Sequence, residues 1–197
     1  MKCPMEPRIV DESSMPPELD AAIRRGLCLS FPKDAEHFRL GRDWHGSGPA
    51  YSVVVLDAVP VVAVPVGRQA TASPEVVAHA GVVDRVIDAG GVPVRVAGVL
   101  NVFVVPSQRG RGLVHRVMSA AMAEAARRGF DCGLLFCVPE LQKVYERTGW
   151  ILLPPAQITR VAEGRELPLP EGNIAMFLPL ARPDFPSGDI HLRGNDW

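Results

Sequence analysis

The chain has 197 residues, a formal net charge of −1, and 47% apolar but only 6% aromatic residues. That length allows one domain with a sizeable core, built mostly of valine, leucine and alanine. The near-neutral balance gives no electrostatic case for nucleic acid or an anionic membrane, and no apolar run approaches the ~20 residues of a spanning helix.

The opening Met1-Lys-Cys-Pro-Met-Glu-Pro7 lacks the apolar core of a secretory signal. The four cysteines are Cys3, Cys28, Cys132 and Cys137. Cys132 and Cys137 fall on one expected strand at a spacing that sends them to opposite faces, which suits neither a disulfide nor a shared metal. The expectation is a cytoplasmic protein with reduced thiols and no metal site, Cys132 and Cys137 being small core residues.

Residues 1–14 are polar, with two prolines, and read as a lead-in with a short strand near Arg8–Val10. Residues 16–29 predict a first helix with proline in its first turn and Leu19, Ile23 and Leu27 as the buried stripe. Asp34–Leu40 predicts a short second helix. His37, Trp44 and His45 near it can line a substrate site or stand as solvated surface residues. Tyr51–Leu56 predicts a strand. The valine-rich segment 58–66 is interrupted by Pro60 and Pro65, so it is an edge strand or a covering loop, and a dimer edge is open to it. A polar loop follows, then a long strand over Val76–Ile87, a turn at Ala89-Gly-Gly91, and a return strand from Val92 to Val102.

Val102–Val105 is a charge-free β-branched and aromatic run, expected as a strand buried on both faces. Pro106 and Ser107 break it, and Gln108-Arg-Gly-Arg-Gly112 follows. Leu113, Val117, Ala121 and Ala125 then recur at helical spacing up to Arg127-Arg-Gly129, with basic side chains at the negative end and glycine at C′. The first turn of such a helix has unpaired N–H groups and partial positive charge. Gly110 and Gly112 let a ligand approach the backbone, and Arg109 and Arg111 add two charges. The combination is a cradle for a phosphate or pyrophosphate, or else only a soluble turn. It is not a P-loop, which needs Gly-Lys-Ser/Thr, and a third glycine at dinucleotide-fold spacing is missing.

Downstream, Cys132–Val138 predicts a strand and Pro139–Thr148 a short helix closed by Gly149. Trp150–Leu153 continues as a strand, 154–170 is a loop or excursion, and Asn173–Leu180 is the last strand. Residues 183–197 form a charged tail ending in Asn195-Asp-Trp197. Helices, an antiparallel meander, then strand–helix–strand–helix–strands predict an α/β fold with a mixed sheet.

Arg109-Gly-Arg-Gly-Leu-Val114 resembles the acyl-CoA-binding motif of the GNAT superfamily of N-acetyltransferases, Arg/Gln-x-x-Gly-x-Gly/Ala, with Val114 departing at the last, small position. Tyr145-Glu-Arg-Thr-Gly-Trp150 resembles that family's Tyr-x-x-x-Gly-Phe/Trp signature, in the right order and at the right distance. The resemblance spans roughly residues 15–180. It implies a GNAT domain over 15–182, with a mostly antiparallel sheet flanked by helices and splayed at its central strands, and a tail over 183–197 that either closes the acceptor site or is a free terminus.

The same resemblance implies a chemistry. A primary amine of a small molecule attacks the thioester of acetyl-CoA, the co-substrate. Leu113 completes the cofactor-binding stretch of Arg109, Gly110, Arg111 and Gly112. Main-chain groups of Val102 and Val104 hold the thioester, an effect often worth ~3 kcal/mol per donor. Tyr145 protonates the leaving thiolate, or is merely a packed helix residue. Relatives often carry a glutamate on the central strand as base; here Leu100 or Asn101 stands there. Asp84, Glu171, His79, Asp196 and bulk water are the alternatives. The chain is most similar to the aminoglycoside 2′-N-acetyltransferases, in Val76–Val83, Leu141–Trp150, Gly172–Pro179 and the Arg193–Trp197 tail. That similarity implies an amino-sugar acceptor held by Asn101, Glu171, Asp196 and Trp197, with fewer acids than expected. A longer acyl donor, and a non-catalytic acyl-CoA-binding module, stay open beside it.

Overall fold

Runs of alternating and of helically spaced aliphatics set the elements. In the computed structural model they are described for residues 6–57 and 75–197. In chain order they are β1 (Pro7–Asp11), α1 (Pro17–Ser30), α2 (Ala35–Leu40), β2 (Tyr51–Asp57), β3 (Glu75–Ala89), β4 (Val92–Val104), α3 (Leu113–Arg127), β5 (Cys132–Cys137), α4 (Gln142–Glu146), β6 (Ile151–Leu152), β7 (Ile158–Ala162), β8 (Arg165–Pro168), β9 (Ile174–Pro179) and β10 (Ile190–His191). Cys3 and the valine-rich segment 58–66 lie outside the described residues.

Among the described residues one ten-stranded sheet runs β6-β9-β5-β4-β3-β10-β7-β8, and β2, paired with β1, shares the outer edge of β3 with β10. Every pairing is antiparallel except β4–β5 and β7–β10. Helices α1 and α3 cover one face. Leu19, Ile23 and Leu27 of α1, and Leu113, Val117 and Ala121 of α3, join the buried valines of β2 and β3 there. Complete burial of a side chain such as Ile23 or Leu27 contributes about 2 kcal/mol. A second apolar cluster on the other face gathers Ile87, Val94, Leu134, Phe177 and Leu192. Cys137 belongs to the first cluster and Cys132 to the second, as the spacing predicts. Both are free thiols, pushed up by burial to about 11 and about 12.

Helix α3 ends at Arg127 because Gly129 adopts φ +74°, which lets the N–H groups of Gly129 and Phe130 return to Ala126 and Ala125. Glu124, buried near this end, is held down to about 2 by hydrogen bonds from Arg127, then Arg128. Arg128 also reaches Asp11 at 2.6 Å and covers the Tyr51 ring at 4.3 Å, tying β1 and β2 to the helix.

Three expectations change. The return strand and the run Val102–Val105 are one strand, β4, and Val102 is only half-buried because no strand flanks it on one side. The excursion over 154–170 contains the β7–β8 hairpin, whose two-residue turn Glu163-Gly164 has φ of +53° and +72°. Positive φ at both positions is what a tight hairpin turn requires. Third, the Asn195-Asp-Trp197 terminus is not an exposed end. The segment 183–197 folds back, β10 joins the sheet, and Asp196 and Trp197 are 5% and 6% exposed.

Candidate active site

The two central strands part. Parallel pairing of β4 with β5 runs only from Val96–Cys132 to Val99–Leu135. Beyond it β4 stays with β3 to Val104, and β5 stays with β9 to Cys137. The parting coincides with a bulge: Ala80 of β3 faces both Asn101 and Val102, between the pairs Gly81–Leu100 and His79–Phe103. Asn101 takes φ +54°, a region asparagine tolerates better than most residues. Its Nδ2 donates to the Arg42 carbonyl at 2.6 Å. Its own carbonyl accepts from His79 Nδ1 at 2.8 Å. Burial pushes His79 down to about 4, against that hydrogen bond and with help from the charge of Arg42. His79 is therefore neutral at pH 7 and carries its hydrogen on Nδ1, facing the carbonyl.

Main-chain direction follows from the ladder. The Val105 N–H donates to the Val77 carbonyl at 3.0 Å, so Val105 faces β3. Antiparallel pairs alternate, which turns the N–H and C=O of Val104 away from β3, into the gap left by β5. The Val104 carbonyl accepts from Arg109 Nε on that side at 3.3 Å.

The turn after β4 is a 3₁₀ turn, Pro106–Gln108, followed by Gly110 at φ +74° and Gly112 at φ +72°. A Cβ at either glycine would meet no atom within 4 Å, so the backbone conformation, not crowding, requires glycine. Gly112 caps α3 without a side-chain cap, and the first helical bond is Arg116 N–H to the Gly112 carbonyl at 3.2 Å. The N–H groups from Gly110 to His115 hydrogen-bond to no described residue. A groove of about 460 Å³ runs from Val102 and Val104 past Arg109 to Gly110, Gly112 and Leu113, and no carboxylate lines it. Arg111 is outside the lining, because its guanidinium is tethered to Gln108 Oε1.

A second cavity of about 320 Å³ lies on the other side of the parted strands. Phe31, Val102, Leu141 and Tyr145 line both cavities, so the two meet there. Pro32 keeps Phe31 out of helical conformation (φ −126°, ψ 70°) at the end of α1. Tyr145 is 8% exposed, and its ring meets Trp150 edge-on at 6.4 Å. Thr148 Oγ1 and the N–H groups of Thr148 and Trp150 all donate to the Tyr145 carbonyl, while Gly149 at φ +90° makes the turn. This is the physical content of the Tyr-x-x-x-Gly-Trp spacing. The Tyr145 hydroxyl has no partner among the described residues, and burial raises its pKa.

Asn101, Asp196 and Trp197 line the second cavity; Glu171 does not. Glu171 is exposed on an adjoining groove of about 570 Å³ that shares Leu169 and Asn173 with it. The tail is anchored by distant residues. Arg160 and His45 each contact the Asp196 carboxylate at 2.9 Å, Ser47 Oγ donates to the Asn195 carbonyl at 2.9 Å, and Arg85 covers the Trp197 ring at 5.2 Å. Gly98 makes room for that indole: a Cβ there would stand 2.4 Å from it. Trp44 lines the cavity, whereas His45 stands behind Asp196 and His37 is outside the lining. Of the other base candidates, Asp84 is exposed and paired with Arg95 at 2.7 Å, and His79 lies behind the bulge. Sequence reasoning missed Phe38, Phe136, Leu141 and Asn173 in the lining and Arg85 and Arg160 behind it. The hydrophobic spacing marked most of these only as core or surface, and nothing local signals the anchoring arginines.

Residues 68–153 match the family model described as acetyltransferase (GNAT) domain. No curated protein matches the chain. Among solved structures, the GNAT family N-acetyltransferase YhbS from Escherichia coli, in complex with CoA, superposes with a TM-score of 0.61 at 15% identity, covering 98% of this chain and 93% of that one. ElaA from Escherichia coli gives 0.57 at 17% identity, covering 88% and 98%. A GNAT family acetyltransferase from Brucella melitensis, in complex with acetyl-CoA, gives 0.55 at 17% identity, covering 94% and 95%. Likeness at such identities speaks for the fold. With the parted strands and the turn into α3, the chain has the GNAT fold, and its residues 68–153 are similar to the GNAT acetyltransferase domain.

Proposed function

We propose that the protein transfers the acetyl group of acetyl-CoA to a primary amine of a small molecule by direct attack. The observation that carries this reading is the meeting of two cavities at Val102 and Tyr145, one of which ends at unpaired N–H groups of a helix start. An acid-free groove that ends at the six free N–H groups of Gly110–His115, with Arg109 beside it, suits a pyrophosphate. Acetyl-CoA supplies the activated thioester. The N–H groups of Gly110–His115 and the Arg109 guanidinium hold its phosphates. Main-chain groups of Val102 and Val104 receive the acyl arm, an outward N–H polarising the thioester carbonyl. The amine nitrogen forms a bond to the carbonyl carbon and gives up its surplus proton to water, the C–S bond breaks, and Tyr145 gives its proton to the departing sulfur and regains one from solvent.

The ammonium must first lose a proton. Asp196, alone among the candidate side-chain bases, lines the acceptor cavity, and it is already engaged by Arg160 and His45. It orients the ammonium rather than keeping the proton, which passes to water. With an amine pKa of roughly 10, the reactive form is ~0.1–1% at pH 7–8, so kcat/KM climbs about tenfold per pH unit below that pKa. A flat profile from pH 6 to 9 would speak against this step.

An amino sugar is the acceptor that the sequence similarity implies, and of the residues expected to hold it Asn101, Asp196 and Trp197 line the cavity. A second reading, a non-catalytic acyl-CoA-binding module, is favoured by Leu100, buried where relatives carry a carboxylate. Calorimetric titration of acetyl-CoA, with an Arg109→Ala comparison, tests the shared cofactor half: saturable binding weakened by the variant is expected, and no binding overturns both readings. Turnover of a primary amine then separates them.

A further inference from the structure

The acceptor cavity is walled by rings from two directions. On one side Phe31, Phe38 and Trp44 form a run, Phe38 stacked on Trp44 at 5.6 Å and tilted toward Phe31 at 5.8 Å between centroids. On the other, Phe136 and Trp197 lie 5.4 Å apart. The chain has only seven phenylalanines, three tryptophans and two tyrosines, yet these five rings and Tyr145 all face this one space. Phe31, Trp44 and Phe136 are each half-buried, so ring surface stays open to a ligand.

The charge available is small. Asp196 is the one carboxylate in the lining. Arg160 and His45 contact it at 2.9 Å each, and the Arg85 guanidinium, over Trp197, is close enough to feel its charge. No surplus negative charge is left to meet several ammonium groups, and each unpaired one would be costly to desolvate among rings. One ammonium can be held at Asp196, beside the Trp197 ring. A volume of about 320 Å³ stands at the small end of ligand pockets and matches one ring system with a short chain, whereas a three-ring amino sugar would have to extend into the adjoining groove.

We infer that the acceptor is a primary amine with a single positive charge on an apolar, aryl-sized body, its ring lodged between the two aromatic walls and its ammonium at Asp196. This rests on the reading of the protein as an amine acetyltransferase, and it favours an arylalkylamine over a polycationic sugar.

The test is steady-state acetylation at saturating acetyl-CoA of 2-phenylethylamine and tryptamine beside ethylamine and kanamycin, with calorimetric binding of acetyl-CoA to wild-type protein and the Arg109→Ala variant as a separate arm. Burial of an aromatic ring predicts kcat/KM roughly 100-fold higher for the aryl amines than for ethylamine or kanamycin. Trp44→Ala should lower the value for 2-phenylethylamine about tenfold and that for ethylamine by about twofold at most. Val138→Glu, at the exposed rim, should raise kanamycin relative to 2-phenylethylamine. Kanamycin equal to or better than the aryl amines, or a Trp44→Ala effect the same on ethylamine and 2-phenylethylamine, overturns the inference. If acetyl-CoA binds in an Arg109-dependent way and no amine of the panel is acetylated, the inference falls while the cofactor half of the reading stands. If acetyl-CoA does not bind, both fall.

Discussion

The two halves of the site are built from different materials. The groove on the α3 side is made chiefly of backbone: the outward N–H of Val104, the left-handed glycines and the free N–H groups of Gly110–His115, all within one stretch of chain. The acceptor cavity is made of side chains from residues far apart in sequence, Phe31 and Trp44, Phe136 and Leu141, Leu169 and Asn173, Asp196 and Trp197. Backbone recognition tolerates sequence change so long as the dihedral angles persist, so such a half can serve many enzymes. A side-chain cavity changes with each substitution, so on the proposed function this half carries the choice of acceptor.

That contrast can be broken at several points. The seam between the halves is the Asn101 bulge, and His79 behind it must stay neutral. Its pKa in the folded state, about 4, lies below the unfolded value of about 6.5, so the unfolded chain binds the extra proton between them. Stability is therefore full above pH ~6.5 and falls as pH drops to about 4, by roughly 3 kcal/mol from this group. Denaturant melts across that window should show the loss, and His79→Gln should flatten it; an unchanged slope in the variant would place the titrating group elsewhere. Glu124 acts in a separate window. Its folded pKa is depressed, so its contribution is lost as pH falls from the usual carboxylate range toward about 2.

Tyr145→Phe removes the proposed proton donor and keeps the ring against Trp150. Turnover should drop about 100-fold, with acetyl-CoA affinity held within a few-fold. An equal loss of affinity would recast Tyr145 as a packing residue. Gly112→Val forces a β-branched residue to φ +72°, at about 2 kcal/mol or more of strain, so acetyl-CoA binding should weaken by ~30-fold or more in calorimetry. Arg109→Ala should cost about tenfold in the same titration. Arg111→Ala should cost less, because Gln108 holds that guanidinium outside the groove. The reverse order would return Arg111 to the cradle.

What the sequence revealed divides along the same line. The cradle was legible because its parts are adjacent: a strand broken by Pro106, two glycines flanked by arginines, and a helix period starting at Leu113. Tyr145 was legible because Gly149 and Trp150 sit at a fixed turn distance from it. Asp196 and Trp197 were named only through a family similarity. Their burial depends on Arg85, Arg160 and Ser47, which no local pattern connects to residue 196. The β7–β8 hairpin was hidden for a milder reason: Glu163-Gly164 is a weaker turn signal than Asn-Gly, and the flanking strands are too exposed to alternate cleanly. In the sequence Leu100 stands only as a missing carboxylate, and the apolar cavity that suits a leucine there emerges only when the rings are assembled around it.

The most direct measurement is a crystal structure of the protein with acetyl-CoA. The pyrophosphate should lie on the N–H groups of Gly110–His115, the thioester carbonyl within hydrogen-bond distance of a main-chain N–H at Val102–Val104, and the Tyr145 hydroxyl beside the sulfur. Acetyl-CoA bound elsewhere, with this groove empty, would contradict the two-cavity site.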